Sequence, residues 1–398
     1  MIAVIADDLT GAAEIAGIAL RNGFRVVMET KVHADVDTDV LVIATDSRSK
    51  TSKEAKSLIG KITRELVALK PELIFKKADS LLRGHIGDEL DAQLAASGKK
   101  RTVLIPANPS LKRTIKDGVY YADNVPLVES QLADAYRKKI STSLVADLVG
   151  EKFKAAISVI SVDEDFTGNK LIIGNAVSET DLEAWAKRID ADTIPAGSSG
   201  FFNAILKGRK AAEQQKIQKE FCVGKRMLYV CGSAFLVSKA HVKMALMNGK
   251  AVCYMPANIF CGENLKLEMN NWVNEITDAM KNNGIVIMAV DRLLCKDRSE
   301  TPVQIRTVMA AVIKKIMQSV TVDELLIEGG ATASAIIEEL DYTRFFPTNE
   351  LAQGVIRMKV QENEGLFITM KPGSYQWPSS IWDQKINCDD KPAVAKSK

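Results

Sequence analysis

Charge of one sign is what this chain most lacks. Its 398 residues carry 53 Lys and Arg against 50 Asp and Glu, for a net charge of +3. The two signs are interspersed, so neither half presents a field that would steer polyanions or anionic lipid, and the balance argues against a nucleic-acid partner. Long hydrophobic runs are also absent: no uncharged apolar stretch reaches the roughly 18–20 residues of a membrane helix. The opening apolar residues 1–6 run straight into Asp7 and Asp8, without the basic and apolar regions of a signal peptide. A soluble, cytoplasmic protein with no membrane partner is expected. Histidine is scarce (His33, His85 and His241), and the six cysteines (Cys222, Cys231, Cys253, Cys261, Cys295 and Cys388) show no C-x-x-C spacing. Free, mostly buried thiols are therefore expected, and no structural zinc site. Neither G-x-x-x-x-G-K-[ST] nor G-x-G-x-x-G occurs, which excludes a P-loop or dinucleotide fingerprint but not nucleotide binding by another route.

What the chain does have is a repeated alternation. Short apolar runs bounded by Gly, Pro, Asp or Asn recur at 2–6, 40–44, 73–75, 102–105, 157–162, 227–230, 285–290, 325–327 and 366–369, and most read as buried parallel strands. Amphipathic stretches at 12–20, 53–69, 181–189, 303–317 and 333–340 lie between them. The pattern predicts an α/β protein of two domains, each an open, mostly parallel sheet flanked by helices. The polar, charged segment 207–226 precedes a fresh strand, and the boundary is placed there: residues 1–221 as a substrate-binding domain and 222–398 as a nucleotide-binding domain. Ligands of such sheets bind beyond the carboxyl ends of the strands, so the residues just after each strand are the candidates.

In the first domain the opening strand ends in Asp7 and Asp8, followed by a Thr-Gly turn into a helix. One of these acids can accept a proton from a substrate hydroxyl; the other reading is that one caps the helix. A second strand ends in Asp46-Ser47-Arg48. A third, at 73–75, runs out into Lys76 and Lys77, followed by Asp79, Ser80 and Arg83. Guanidinium groups bind carboxylates bidentately, so Arg48 and Arg83 with Lys77 between them would form a receptor for a small organic acid.

In the second domain the strand at 325–327 runs through Glu328 into Gly329, Gly330, Ala331 and Thr332 and then a helix, a turn whose amides can cradle phosphate. Two further strand ends offer Gly232 and Ser233, and Lys371 with Gly373. Tyr375 and Trp377 offer rings for a purine or for the core. The metal ligands stay unassigned, Asp291 at a strand end being one candidate.

With these residues in view, the sequence resembles the four-carbon acid sugar kinases. The resemblance rests on ADDLTGA at 6–12, D-S-R at 46–48, K-x-D-S-x-L-R-G at 77–84, Asn108-Pro109 followed by Arg113-Thr114 and Gly118, and the Gly197-Ser198-Ser199-Gly200 segment. It implies an ATP-dependent kinase, using Mg²⁺, for threonate, erythronate or 3-oxo-tetronate, with a terminal hydroxyl as acceptor. In this family the positions matching Asp7, Asp8, Arg48, Lys77, Asp79 and Ser80 hold the acid sugar. Segments matching Gly232-Ser233, Gly329 to Thr332 and Lys371 to Gly373 hold ATP. Four positions depart from the family pattern: Leu81 replaces a Thr, Phe235 a Ser and Ala331 an acidic residue, and Pro372 falls within the terminal K-S-G-G-F-G loop. A catalytically weakened member, acting as a sugar-acid-binding or regulatory module, is the alternative. Sugar acid and ATP are the expected partners, and the sequence leaves a homo-oligomer open.

Overall fold

The computed structural model describes all of the chain except residues 136–139, 167, 210–222, 233–235, 261–263, 291–301, 374, 379–380 and 382–398. It divides into two compact units, Met1–Lys216 and Ile217–Lys398.

The first unit opens with β1 (Ile2–Ala6), α1 (Leu9–Arg21), β2 (Val26–Glu29), β3 (Val40–Ala44), α2 (Ser52–Ala68), β4 (Leu73–Lys77), α3 (Ile86–Ser97) and β5 (Arg101–Ile105). A small antiparallel sheet follows, β6 (Arg113–Lys116), β7 (Val119–Ala122) and β8 (Val125–Pro126). The unit continues through α4 (Gln131–Ala135), α5 (Val145–Val149), β9 (Ile157–Ile160), β10 (Leu171–Gly174), α6 (Glu179–Lys187), β11 (Thr193–Gly197) and α7 (Ser199–Lys207). Its main strands are parallel throughout, in the order β2-β3-β1-β4-β11-β5-β10-β9. Parallel strands covered on both faces must be apolar on both sides, which is why β1 and β3 are uninterrupted runs of buried residues. On one face Ile59, Ile62 and Leu66 of α2 and Ala92 of α3 pack on Ala3, Ile5 and Ile74. On the other, Phe75 meets Phe201 and Phe202 of α7, with ring centroids 6.1 and 5.1 Å away. The helices start where the sequence supplies caps: Thr51 with Glu54 for α2, and Ser178 with Asp181 for α6.

The second unit comprises β12 (Met227–Cys231), α8 (Leu236–Met247), β13 (Ala251–Tyr254), α9 (Leu265–Asn283), β14 (Ile285–Ala289), α10 (Pro302–Ser319), β15 (Glu324–Glu328), α11 (Gly330–Leu340), β16 (Arg344–Ala352), β17 (Val355–Val360) and β18 (Phe367–Lys371). The order is β13-β14-β12-β15-β18-β17-β16. The first five strands are parallel, and the β16–β17 hairpin adds an antiparallel edge to β18. The expected α/β class is observed. The hairpin was not anticipated, because β16 alternates buried residues with less buried ones and β17 carries Arg357 and Lys359 within its run, so neither reads as an uninterrupted apolar strand.

In both units chain order reverses direction beside the first strand. β1 has β3 on one side and β4 on the other; β12 has β14 and β15. Each reversal opens a crevice at the carboxyl ends of the strands. Among the described residues no helix is long and apolar enough to cross a membrane. The described cysteines, Cys231 and Cys253, are buried and form no disulfide among the described residues.

Candidate functional site

In the first unit β1 stops at Ala6, and the two acids that follow it diverge. Alternation continues Asp7 on the α2/α3 face occupied by Ala3 and Ile5, and turns Asp8 to the opposite face. Asp8 is the N-cap of α1: its Oδ1 accepts the Gly11 N–H at 2.7 Å, and its Oδ2 accepts the Thr10 hydroxyl at 3.1 Å. A Cβ on Gly11 would lie 2.6 Å from that Oδ1, so glycine is required for the cap to close.

β3 delivers Arg48 through a turn in which Asp46 takes the left-handed conformation. Its guanidinium donates from Nε to Asp7 Oδ2 at 2.9 Å and from Nη1 to Asp8 Oδ2 at 3.0 Å; Nη2 lies 2.8 Å from Asp7 and 3.2 Å from Asp79. Gly84, at φ +97°, brings the turn after β4 against the Arg48 side chain, where a Cβ would stand 3.2 Å from Cγ. Within that turn Asp79 takes Arg83 bidentately, with both contacts at 2.6 Å, and accepts the backbone N–H groups of Leu81 and Arg83. The Ser80 carbonyl accepts the Tyr120 hydroxyl of β7 at 2.6 Å.

Of the two adjacent lysines ending β4, Lys76 is sealed in an ion pair with Glu89 of α3 at 2.7 Å. Lys77 points to the other face: its Nζ lies 3.7 Å from the space over Gly11 and donates to the Ala78 carbonyl at 2.6 Å. Lys77 is buried and makes no ion pair among the described residues.

These charges separate the carboxylates. Burial pushes Asp7 up, ahead of the opposing charges of Arg48 and Lys76, and its Oδ1 is buried without a hydrogen bond. Burial also pushes on Asp8, but Arg48 and Lys77 outweigh it and leave that group below the usual carboxylate value. Asp79 is held far lower, burial being overcome by Arg48, Arg83 and Lys77. An ionised, partly accessible acid thus stands beside an ammonium that makes no ion pair among the described residues, an arrangement that can take a proton from a hydroxyl.

Asp7, Asp8, Arg48, Lys77, Asp79, Ser80 and Arg83 therefore share one edge of the sheet, at the ends of β1, β3 and β4. Arg48 and Arg83, read from the sequence as a receptor for an external acid, direct their guanidinium groups at the protein's own carboxylates. The sequence reading passed over Tyr120 and a chain of hydrogen bonds along the same edge. In that chain Asn108 Nδ2 donates to Ser199 Oγ at 3.2 Å, and Ser199 donates to Glu14 at 2.9 Å. Asn108 and Ser199 fall within the quoted motifs, whereas nothing in the sequence marked Glu14 or Tyr120.

In the second unit three adjacent parallel strands, β12, β15 and β18, end in Gly232, Gly329 and Lys371-Pro372-Gly373. Gly329, at φ +95°, donates its N–H to the Lys371 carbonyl at 3.0 Å and starts α11 without a side-chain cap. The N–H groups of Gly330, Ala331 and Thr332 are left for a ligand, with the positive end of the helix behind them. A Cβ on Gly232 would come within 2.7 Å of Thr332 Oγ1, so the cradle stays open only with glycine there. This fits the phosphates of a nucleotide.

Lys371 does not face the cradle freely. It is buried, pairs with Glu328 at 3.1 Å and sits over the Trp377 ring, and burial lowers it from the usual lysine value against the pull of Glu328. Glu328 also accepts from Tyr229 at 2.5 Å, from Trp377 at 3.2 Å and from Ser238. Trp377 packs edge-on against Tyr229 in the core, the second of the two roles its sequence position allowed. Ser233, Phe235 and Asp291 lie outside the described residues. Among the described residues no cluster of three His, Cys, Asp or Glu side chains is placed to hold a metal.

Comparison with known proteins follows the same division. The model of a sugar-binding N-terminal domain matches residues 2–205, and that of a nucleotide-binding C-terminal domain matches 228–375. A D-threonate kinase of Salmonella typhimurium is 25% identical, covering 97% of this chain and 99% of the relative. A 3-oxo-tetronate kinase of Haemophilus influenzae is also 25% identical, with 94% and 97% covered. A D-erythronate kinase of Heliobacterium modesticaldum is 25% identical over 65% of this chain, which spans 63% of that relative. The fold is shared with a solved Salmonella typhimurium protein (TM-score 0.77, 18% identity, 94% of this chain and 96% of that one). It is shared as well with one from Haemophilus influenzae (TM-score 0.68, 21% identity, 94% and 97%). On the match of both domains along one chain, the protein belongs to the four-carbon acid sugar kinase family.

Proposed function

We propose that the protein transfers the γ-phosphoryl group of ATP to a terminal hydroxyl of a four-carbon sugar acid, the class to which threonate, erythronate and 3-oxo-tetronate belong. The observation that carries this reading is the buried Lys77 ammonium, without an ion pair among the described residues, beside the ionised Asp8. Asp8 orients the attacking hydroxyl and takes its proton. The hydroxyl oxygen bonds to the γ-phosphorus as the bond to the β-phosphate oxygen breaks, and ADP leaves with that electron pair. Lys77 steadies the charge that develops on the attacking hydroxyl oxygen, while Asp7 and Asp79 hold Arg48 in place. The nucleotide phosphates are assigned to the α11 amides and the glycine turns. Mg²⁺ is expected to arrive on those phosphates, and no step here depends on a protein ligand to it.

A second reading, of a module that binds the acid without transfer, is favoured by Ala331 and by the engagement of Lys371 with Glu328. Calorimetric titration separates the two. The kinase reading expects both ATP and a sugar acid to bind; the module reading expects the acid alone. Gly329→Ala tests the cradle, because an L-residue at φ +95° is strained by about 1–3 kcal/mol. The variant should bind ATP at least tenfold more weakly with unchanged affinity for the acid. Unchanged ATP affinity would mean the phosphates sit elsewhere.

A further inference from the structure

The charges at the first unit's strand ends cancel: Arg48, Arg83 and Lys77 stand against Asp7, Asp8 and Asp79. Glu14 adds an acid through Ser199. An anionic substrate needs a cation beyond this balance, and one more guanidinium lies along the same edge. We propose that Arg113 binds the carboxylate of the sugar acid and so sets the preference of the site for acids. The proposal rests on the kinase reading and goes beyond it by giving the two ends of the substrate different residues, the carboxylate to Arg113 and the reacting hydroxyl to Asp8 and Lys77.

Arg113 opens β6 and is tied at its backbone to the end of β5. The Asn108 N–H donates to the Arg113 carbonyl at 2.7 Å, and the Arg113 N–H donates back at 3.1 Å. Register gives the side chain its direction. Ile115 pairs with Tyr120 and Arg113 with Ala122, so alternation puts Arg113 on the face of Ile115, Tyr120 and Ala122, all three fully buried. That face turns to the turn after β4, since the Tyr120 hydroxyl donates to the Ser80 carbonyl at 2.6 Å. The charges of Arg113 and Asp79 both reach that hydroxyl, Asp79 from the turn whose Ser80 carbonyl accepts it and Arg113 from the same face of the small sheet. Arg113 Nε is buried without a hydrogen bond, and no described residue gives this guanidinium an ion pair. A buried donor left unpaired is costly, and a carboxylate supplies the planar, two-oxygen acceptor that a guanidinium fork fits.

The test compares Arg113→Met and Arg113→Lys with the wild type, thermal melts serving as the control for folding. Arg113→Met should raise KM for the acid by roughly tenfold or more, as expected for a lost charge-assisted hydrogen bond. It should leave KM for ATP unchanged and not alter calorimetric affinity for the polyol that carries CH₂OH in place of the carboxylate. Arg113→Lys should recover part of the loss. An unchanged acid KM in a folded Arg113→Met, or equal weakening toward acid and polyol, overturns the assignment while the kinase reading stands. A wild type that binds the acids through Arg113 but never phosphorylates them overturns the kinase reading and keeps the carboxylate site. A wild type that does neither overturns both.

Discussion

Replacing Asp8 by Asn is expected to lower kcat by about two orders of magnitude or more, the usual contribution of a positioned general base, with little change in melting temperature. Asparagine caps helices about as well as aspartate, so the bond to the Gly11 N–H survives and the substitution removes chiefly the charge and the proton acceptor. The local geometry makes this a clean comparison. Asp8 is the more accessible of the two acids, its side chain being 14% exposed against 1% for Asp7. Arg48 and Lys77 also keep it ionised through the neutral range. A variant with undiminished kcat would transfer the role to Asp7, whose raised affinity for a proton and unpaired Oδ1 make it the next candidate.

Arg48→Met should cost about 3 kcal/mol or more of folding stability, because it strips the cation from carboxylates that stay buried. Its dependence on pH distinguishes this cause from lost packing. In the wild type Asp8 and Asp79 have folded values below the ordinary 3.8. They contribute stability that is present above 3.8 and lost as pH falls through those lowered values; Asp7, raised by burial, acts in the opposite sense. Without Arg48, Asp7 and Asp8 lose their nearest cation, and burial pushes both upward. Their contribution is then present only below the unfolded value and is lost as pH rises through the new folded values. Urea denaturation should therefore find a deficit that grows from about pH 4 to about pH 7. A deficit constant with pH would assign Arg48 a packing role only.

The sheet architecture was legible because parallel strands covered on both faces must be continuous apolar runs, and the chain writes them plainly at 2–6 and 40–44. The strand-end candidates followed from the same rule, and the structure gathers Asp7, Asp8, Arg48, Lys77, Asp79, Ser80 and Arg83 on one edge. What sequence could not show is how those charges pair. Arg48 finds Asp7 across 41 positions and Arg83 finds Asp79 across 4, so each is engaged with a carboxylate of the protein itself, which residue type alone does not reveal. Lys76 and Lys77 are indistinguishable in a list of residues, yet pleating sends one to Glu89 and the other toward Asp8. Lys371 likewise has the composition of a phosphate ligand but lies within reach of Glu328, a partnership made by the adjacency of β15 and β18. Arg113 stood in a quoted motif without a role, because its direction is set by the register of β6 with β7.

The most direct test of the central claim is ADP release by the wild-type protein with ATP and Mg²⁺ over threonate, erythronate and 3-oxo-tetronate, with the product examined by phosphorus NMR. Turnover of at least one acid, with the new phosphate on a terminal hydroxyl, is the expected result; no turnover of any of them by protein that melts cooperatively would contradict it.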